Sequence, residues 1–386
     1  MENVSSSNSH KVLVPKLRFP EFSGEWLPCM LGEIAISIEY GMNAPAIKFD
    51  GKNKYIRITD IDDSTNQYIN DNPVSPNGVL EERYLVKQND ILFARTGASV
   101  GKTYIYDIKD GILYYAGFLI RLRVKPDTNS KYIFTNTLTP RYRKWVNLTS
   151  MRSGQPGINS QEFSTYRIAV PTLLEQNKLA NFITLIDERL DKQRELIKHL
   201  KSYKRGVLQS INVPTKTYCV GQIFNITRGY VLPTSNVAER KSSSNCYPVY
   251  SSQTKNDGLM GYFNQYLYEN AITWTTDGAN AGYTRYRDGK FYCTNVCGVL
   301  LNDDGYANEF VAAKINEISK KYVSYVGNPK LMNNVMAEIK VDLPDIEKQQ
   351  YYSKLIDLLN RMIDYNSKIL ENLADIKLSF LQQLFI

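Results

Sequence analysis

Two stretches of the chain carry their apolar residues in alternating steps of four and three. The first runs Leu179, Ile183, Ile186, Leu190, Gln193, Ile197, Leu200, Lys204, Val207, Ile211. The second runs Tyr352, Ile356, Leu359, Ile363, Asn366, Leu370, Leu373, Lys377, Phe380, Leu384, each position 173 residues after its partner. That spacing is the seam of a coiled coil. The polar interruptions coincide too, Gln193 with Asn366 and Lys204 with Lys377, and polar seam residues can fix register. Each pattern opens just after a proline, Pro171 or Pro344. Thr172-x-x-Glu175 reads as a capping box, and Asp345 holds the equivalent cap position. A helix of roughly 38 residues is about 57 Å long, more than the ~30–40 Å width of a domain of this size.

Ahead of each seam lies a mixed region of short alternating strands, and these regions also correspond. DILFARTGASVG (90–101) returns as AITWTTDGANAG (271–282). Leu31-Gly32-Glu33-Ile34 returns as Val220-Gly221-Gln222-Ile223, followed by Gly41 and Pro45 in one copy and Gly229 and Pro233 in the other. AVPTLLEQ (169–176) returns as VDLPDIEKQ (341–349). The chain is therefore written twice. The pattern predicts an α+β fold of two similar globular domains separated by two long helices. Those helices pair as an intramolecular antiparallel coiled coil in a pseudo-twofold molecule, because a short linker (NVPTK) leaves no length for a parallel return. The expected divisions are a disordered lead-in (1–14), a first recognition domain (15–168), a first spacer helix (169–212), a second recognition domain (213–341) and a second spacer helix (342–386).

RTGASVGKT (95–103) approximates a phosphate loop, but only three residues separate Gly97 from Gly101, where the nucleotide-binding pattern requires four. The second copy continues Gly282-Tyr283-Thr284 with no lysine. A glycine bend that presents different side chains in each copy fits better than ATP binding.

Composition narrows the chemistry. Five cysteines include a Cys293-x3-Cys297 pair, but no second pair completes a zinc site, so buried free thiols are the better reading. The two histidines, His10 and His199, stand in no plausible triad. Pro344-Asp345-Ile346-Glu347-Lys348 holds fragments of a nuclease motif, which a helix cap explains fully. The net charge of +8 is spread over folded regions, and 28 tyrosines accompany it, as suits a surface that recognises a polyanion. No apolar run is long enough to cross a membrane, and MENVSSSNSHK lacks an apolar leader. A cytoplasmic protein is expected.

KLRFPEFSGEW (16–26), LGEI (31–34), DILFARTGASVGK (90–102), SGQPGIN (153–159) and IAVPTLLEQNKLANFI (168–183) resemble the DNA-specificity subunit of type I restriction-modification systems. The likeness covers the chain after about residue 15, although the second copy departs in detail, with LMNNV (331–335) taken to stand where SGQPGIN stands. The resemblance implies a non-catalytic subunit whose two domains each read half of a bipartite, asymmetric site in double-stranded DNA. It implies docking of two methyltransferase subunits that methylate adenine N6, and of restriction/translocase subunits. S-adenosylmethionine, ATP and Mg are then expected on those partners, with no cofactor or metal in this chain. Base readout needs polar side chains on loops. The candidates in the first domain are Arg95, Thr96, Gly97, Ser99, Gly101, Lys102, Arg152, Ser153, Gln155 and Asn159. Those in the second are Thr276, Asp277, Gly278, Asn280, Gly282, Arg285 and Asn333. The glycines would allow close approach. Arg141, Arg143 and Lys144 read as phosphate contacts or a solvated helix face. Glu175, Arg189, Lys192 and Arg194 are candidates for partner docking. Two other readings stay open: a methylation-only system, and a coiled-coil adaptor that binds protein, which would explain the helices but not the two basic, tyrosine-rich domains.

Overall fold

A computed structural model of the chain describes residues 13–151, 154–210, 213–252 and 255–386. The expected lead-in therefore falls almost wholly outside the described residues, as do His10, Arg152, Ser153 and the seam residue Ile211. The chain divides into two compact units: residues 1–192 with 370–386, and residues 193–369.

The first unit is built on a four-stranded antiparallel sheet with the order Ala35–Tyr40, Leu119–Val124, Ile91–Ala94, Thr103–Ile105. Its central strand is buried on both faces. Strict alternation sends Ile91 and Phe93 into one apolar cluster and Leu92 and Ala94 into another. Leu27–Met30 pairs antiparallel with Arg167–Val170 and leads into the first long helix, Leu173–Gln209.

The second unit repeats this plan. Asn225–Arg228, Cys297–Leu301, Tyr268–Thr275 and Thr284–Cys293 follow the same order, extended by Tyr247–Tyr250 and Leu259–Phe263 to six strands. Lys216–Cys219 pairs with Lys340–Leu343 ahead of the second long helix, Ile346–Leu384. Gly41 and Gly229 are explained by close approach. A Cβ on Gly41 would lie 2.2 Å from the Ala116 carbonyl oxygen, and one on Gly229 would lie 2.2 Å from that of Cys293.

Within each unit a piece of one long helix runs antiparallel to a piece of the other. In the first, Phe182 meets Phe380 edge-on at 5.0 Å and Lys377 pairs with Asp187 at 2.5 Å. In the second, Gln193 Nε2 donates to Asn366 Oδ1 at 2.7 Å, and Lys204 Nζ donates to Asn360 Oδ1 at 2.6 Å. The two polar seam residues that match in sequence thus bond one another. Every described seam position is buried or half-buried.

The helix caps differ from the sequence reading at one point. Thr172 Oγ1 accepts from the Glu175 amide at 3.4 Å, and Asp345 Oδ1 accepts from the Lys348 amide at 2.9 Å. The Glu175 carboxylate, however, does not turn back to close a capping box. It is buried, takes a forked pair of bonds from Arg18 at 2.8 and 2.7 Å, and lies 3.3 Å from Trp26 Nε1. Glu175 is therefore no docking residue: it anchors the KLRFPEFSGEW segment to the helix. Arg189 and Lys192 are exposed, and Arg194 is half-buried.

Candidate nucleic-acid interface

In the first unit the strand Ile91–Ala94 runs out into the glycine turn. The turn is closed by backbone bonds from Ala94 N to Lys102 O (2.8 Å), Gly101 N to Ala94 O (2.8 Å) and Val100 N to Gly97 O (3.1 Å). Gly97 and Gly101 take φ of +75° and +81°, the left-handed region that glycine enters at little steric cost. A second loop, residues 154–159, lies along the turn. Gly97 N donates to Pro156 O (2.9 Å), Ile158 N donates to Arg95 O (2.9 Å), and Thr96 bridges Gly157.

The second unit reproduces these bonds. Thr275 N meets Tyr283 O (2.9 Å), Gly282 N meets Thr275 O (2.8 Å) and Ala281 N meets Gly278 O (2.9 Å). Gly278 N donates to Pro329 O (2.9 Å), Leu331 N donates to Thr276 O (2.9 Å), and Asp277 bridges Lys330. The counterpart of GQPGIN (154–159) is therefore GNPKLM (327–332), not LMNNV. A shared Gly-x-Pro sets the loop, and the side chains around it have diverged.

The structure sorts the candidate side chains into three groups. Some are committed to the fold. Asn159 caps the short helix Ser160–Ser164 by accepting from the Glu162 amide (2.8 Å). Lys102 is nearly buried, donates to Ile61 O (2.9 Å) and ion-pairs with Asp63. Thr276 is fully buried, with its hydroxyl on Val296 O (3.0 Å) and Asp277. Arg285 lies on a strand rather than the turn, held by Asp257, by Asp364 (3.1 Å) and by the Tyr283 hydroxyl (3.0 Å). Burial opposes its charge, but Tyr283 and the two carboxylates hold its pKa above the ordinary arginine range. Asn333 Oδ1 accepts from Arg228 Nε (3.0 Å). Such bonds tie these five side chains to the fold.

A second group stays at least partly exposed on the paired loops: Thr96, Ser99 and Gln155 in the first unit, and Asp277 and Asn280 in the second, where Asp277 lies 3.7 Å from Lys330, a residue not among the candidates. The third group is Arg95 alone. Its Nε donates to Gly117 O (2.9 Å), and its guanidinium lies 5.1 Å from the Tyr40 ring and 5.9 Å from Phe118. Phe118 is 61% exposed. Burial would raise the Tyr40 hydroxyl pKa, but hydrogen bonds from Ser160 and the charge of Arg95 hold it below the ordinary tyrosine value. A planar cation tied through its Nε and set near two exposed rings has its fork restricted in orientation, as bidentate readout of a base edge requires.

Sequence reasoning did not bring Tyr40 and Phe118 beside Arg95; in the second unit Tyr230 and Val231 are exposed. A signal was available, because an aromatic residue adjoins the close-approach glycine in both copies, as Tyr40-Gly41 and Gly229-Tyr230. Cys293 and Cys297 are buried among Phe291 and Val299, and burial pushes the Cys297 thiol up to about 11. Among the described residues no helix is long and apolar enough to cross a membrane.

Residues 25–202 and 212–374 both match the type I restriction modification DNA specificity domain. The chain belongs to this family. It is 38% identical over 145 residues to a Mycoplasma pneumoniae protein provisionally named as the N-terminus of a type I specificity subunit, covering 37% of this chain and 76% of that one. It is 34% identical over 151 residues to the specificity subunit of the type I restriction enzyme MpnII of the same organism, covering 38% of this chain but only 44% of that subunit. The crystal structure of a type I restriction-modification S subunit from M. genitalium superposes with a TM-score of 0.67, over 97% of this chain and 99% of that one, at 18% identity. At that identity the likeness is one of fold.

Proposed function

We propose that this chain is the non-catalytic specificity subunit of a type I complex, and that its two units each read one half of a bipartite, asymmetric site in double-stranded DNA. The observation that carries this reading is the duplicated loop pair. The backbone hydrogen bonds that shape it recur in the two units, while the side chains they display differ almost completely. A fixed frame with variable displays is what two different half-sites demand, since backbone contacts position a protein and side chains specify bases. The exposed stripes of the long helices, with Arg189 and Lys192, are the surfaces offered to methyltransferase subunits. Those subunits supply S-adenosylmethionine chemistry at adenine N6, and restriction/translocase subunits with ATP and Mg complete the assembly. The test is a methylome: co-express the chain with its neighbouring methyltransferase subunit and map N6-methyladenine by long-read sequencing. One asymmetric bipartite motif, absent without this chain, supports the proposal. A stable complex that leaves no new methylation sinks it.

A further inference from the structure

The second unit holds a groove of about 590 Å³ between the end of the first long helix and the helix Glu309–Ser319 with the turn Lys320–Tyr322 that follows it. Five cations line it, Lys201, Lys204, Arg205, Lys320 and Lys321, against a single carboxylate, Glu317. Lys201, Arg205, Lys320 and Lys321 are exposed, and none makes an ion pair among the described residues. Lys204 adds a further cation from half-buried depth, its Nζ bonded to the neutral amide of Asn360 (2.6 Å).

On the long-helix side of the groove the charge is peculiar to this copy. The residues 173 positions beyond Lys201 and Arg205 are Ala374 and Leu378. Lys377, the counterpart of Lys204, is neutralised by Asp187 (2.5 Å). A merely soluble surface would not need so many like charges facing one hollow, where they repel one another unless an anion enters. The groove also adjoins the candidate reading turn. Ser319 Oγ donates to Gly282 O (2.6 Å), and Lys320 N lies 3.5 Å from where a Cβ on Gly282 would stand. A strand of phosphates crossing the turn of Gly278–Gly282 would continue onto Lys320 and Lys321.

We infer that this groove is a sequence-independent binding site for the phosphodiester backbone of duplex DNA, engaged beside the half-site that the second unit reads. The inference rests on the proposed DNA-reading function. Phosphate contacts made here add affinity and fix register without contributing to base choice.

The test uses the complex with its methyltransferase subunit, a labelled random-sequence 40-base-pair duplex, and a salt titration of binding. In K320Q/K321Q and in K201Q/R205Q the slope of log affinity against log salt falls by about 0.9 for each phosphate no longer neutralised. The methylated motif stays unchanged, and K320R/K321R restores the slope. An unchanged slope in both glutamine variants overturns the inference. So does a normal slope with weakened assembly of the complex, which would make the groove a protein-docking site. Competition by millimolar inorganic phosphate at constant ionic strength, with the slope unaltered, would overturn it in favour of a small free anion. A wild-type complex with no salt-dependent DNA binding at all would instead refute the DNA-reading function.

Discussion

The clamp between Arg18 and Glu175 offers a sharp test of how the first unit is held together. Glu175 is 1% exposed and Arg18 14%. Replacing Arg18 with Met removes both guanidinium bonds to Glu175, together with those to the solvent-exposed carbonyls of Ser23 and Gly24, and leaves the carboxylate with Trp26 Nε1 at 3.3 Å. Breaking one side of a buried pair costs about 3–5 kcal/mol, because the remaining charge is stranded. The partial exposure of Arg18 lets some water replace it, so the lower end, about 3 kcal/mol, is expected. In Arg18→Met/Glu175→Met neither charge remains. The expected loss is then about 1 kcal/mol, for the Trp26 indole left without an acceptor. The second substitution therefore recovers roughly 2 kcal/mol of what Arg18→Met alone loses.

Hydrogen exchange read by peptide is the right assay, since a chain with two units has no single unfolding free energy. Peptides from 13–30 and 173–190 should exchange roughly a hundredfold faster in Arg18→Met, following ~1.4 kcal/mol per decade. In the double variant they should return to within about tenfold of wild type. If single and double variants exchange equally fast, the pair is not coupled and the clamp is only a packing contact. Glu175→Gln separates the clamp from a capping box, since a capping box tolerates Gln whereas a charged clamp does not.

Gly101→Ala should destabilise the first unit by about 1–3 kcal/mol, because its Cβ would meet Val146 Cγ1 at 2.5 Å on a φ of +81°. Gly278→Ala, at φ +92° but in open space, should lose only the conformational term of about 1 kcal/mol. Equal losses by hydrogen exchange would contradict the two geometries. Arg95→Lys keeps the charge but loses the planar fork between Tyr40 and Phe118. Methylation at the authentic site should fall by about ten- to a hundredfold, with one half of the motif relaxed; a motif unchanged in both halves would remove Arg95 from readout. Burial first, and the charge of Arg285 second, depress the pKa of Lys204 below 10.5. The folded state then loses this proton before the unfolded chain does, so stability of the second unit rises with pH between the depressed value and 10.5. Lys204→Met should abolish that rise relative to wild type in alkaline thermal melts; parallel curves would show that Lys204 titrates normally.

The repeated architecture was legible because it is written in covalent spacing. Heptads 173 residues apart and two glycine turns survive as patterns whatever their neighbours become. The strand order was not legible, since pairing depends on contacts distant in sequence. The bonding of the candidate side chains was not legible where a residue suited to bases also suits the backbone. Asn159 is a good base reader by type and a better helix cap by position, and only the fold reveals which demand it meets. The ion pairs of Lys102 and Arg285 were hidden similarly, because the carboxylates that bind them, Asp63, Asp257 and Asp364, lie far along the chain. The misaligned loop is the instructive case. LMNNV starts only at the end of the matching loop, whose frame is set by Gly-x-Pro, a backbone signal carried by Gly154 and Pro156 in one copy and by Gly327 and Pro329 in the other.

The same division of labour bears on how such a chain can change its target. The residues that hold each loop pair act through backbone amides and carbonyls, which any side chain supplies, and through a few glycines at positive φ. Outward positions such as Gln155 and Asn328 are exposed and can be exchanged with little effect on the frame. Arg95 differs, since its guanidinium is tied to Gly117 O and stacked beside two rings, so replacing it perturbs a small built structure. Target choice in the first unit should therefore drift readily at the loop tips and only by concerted change around Arg95, Tyr40 and Phe118.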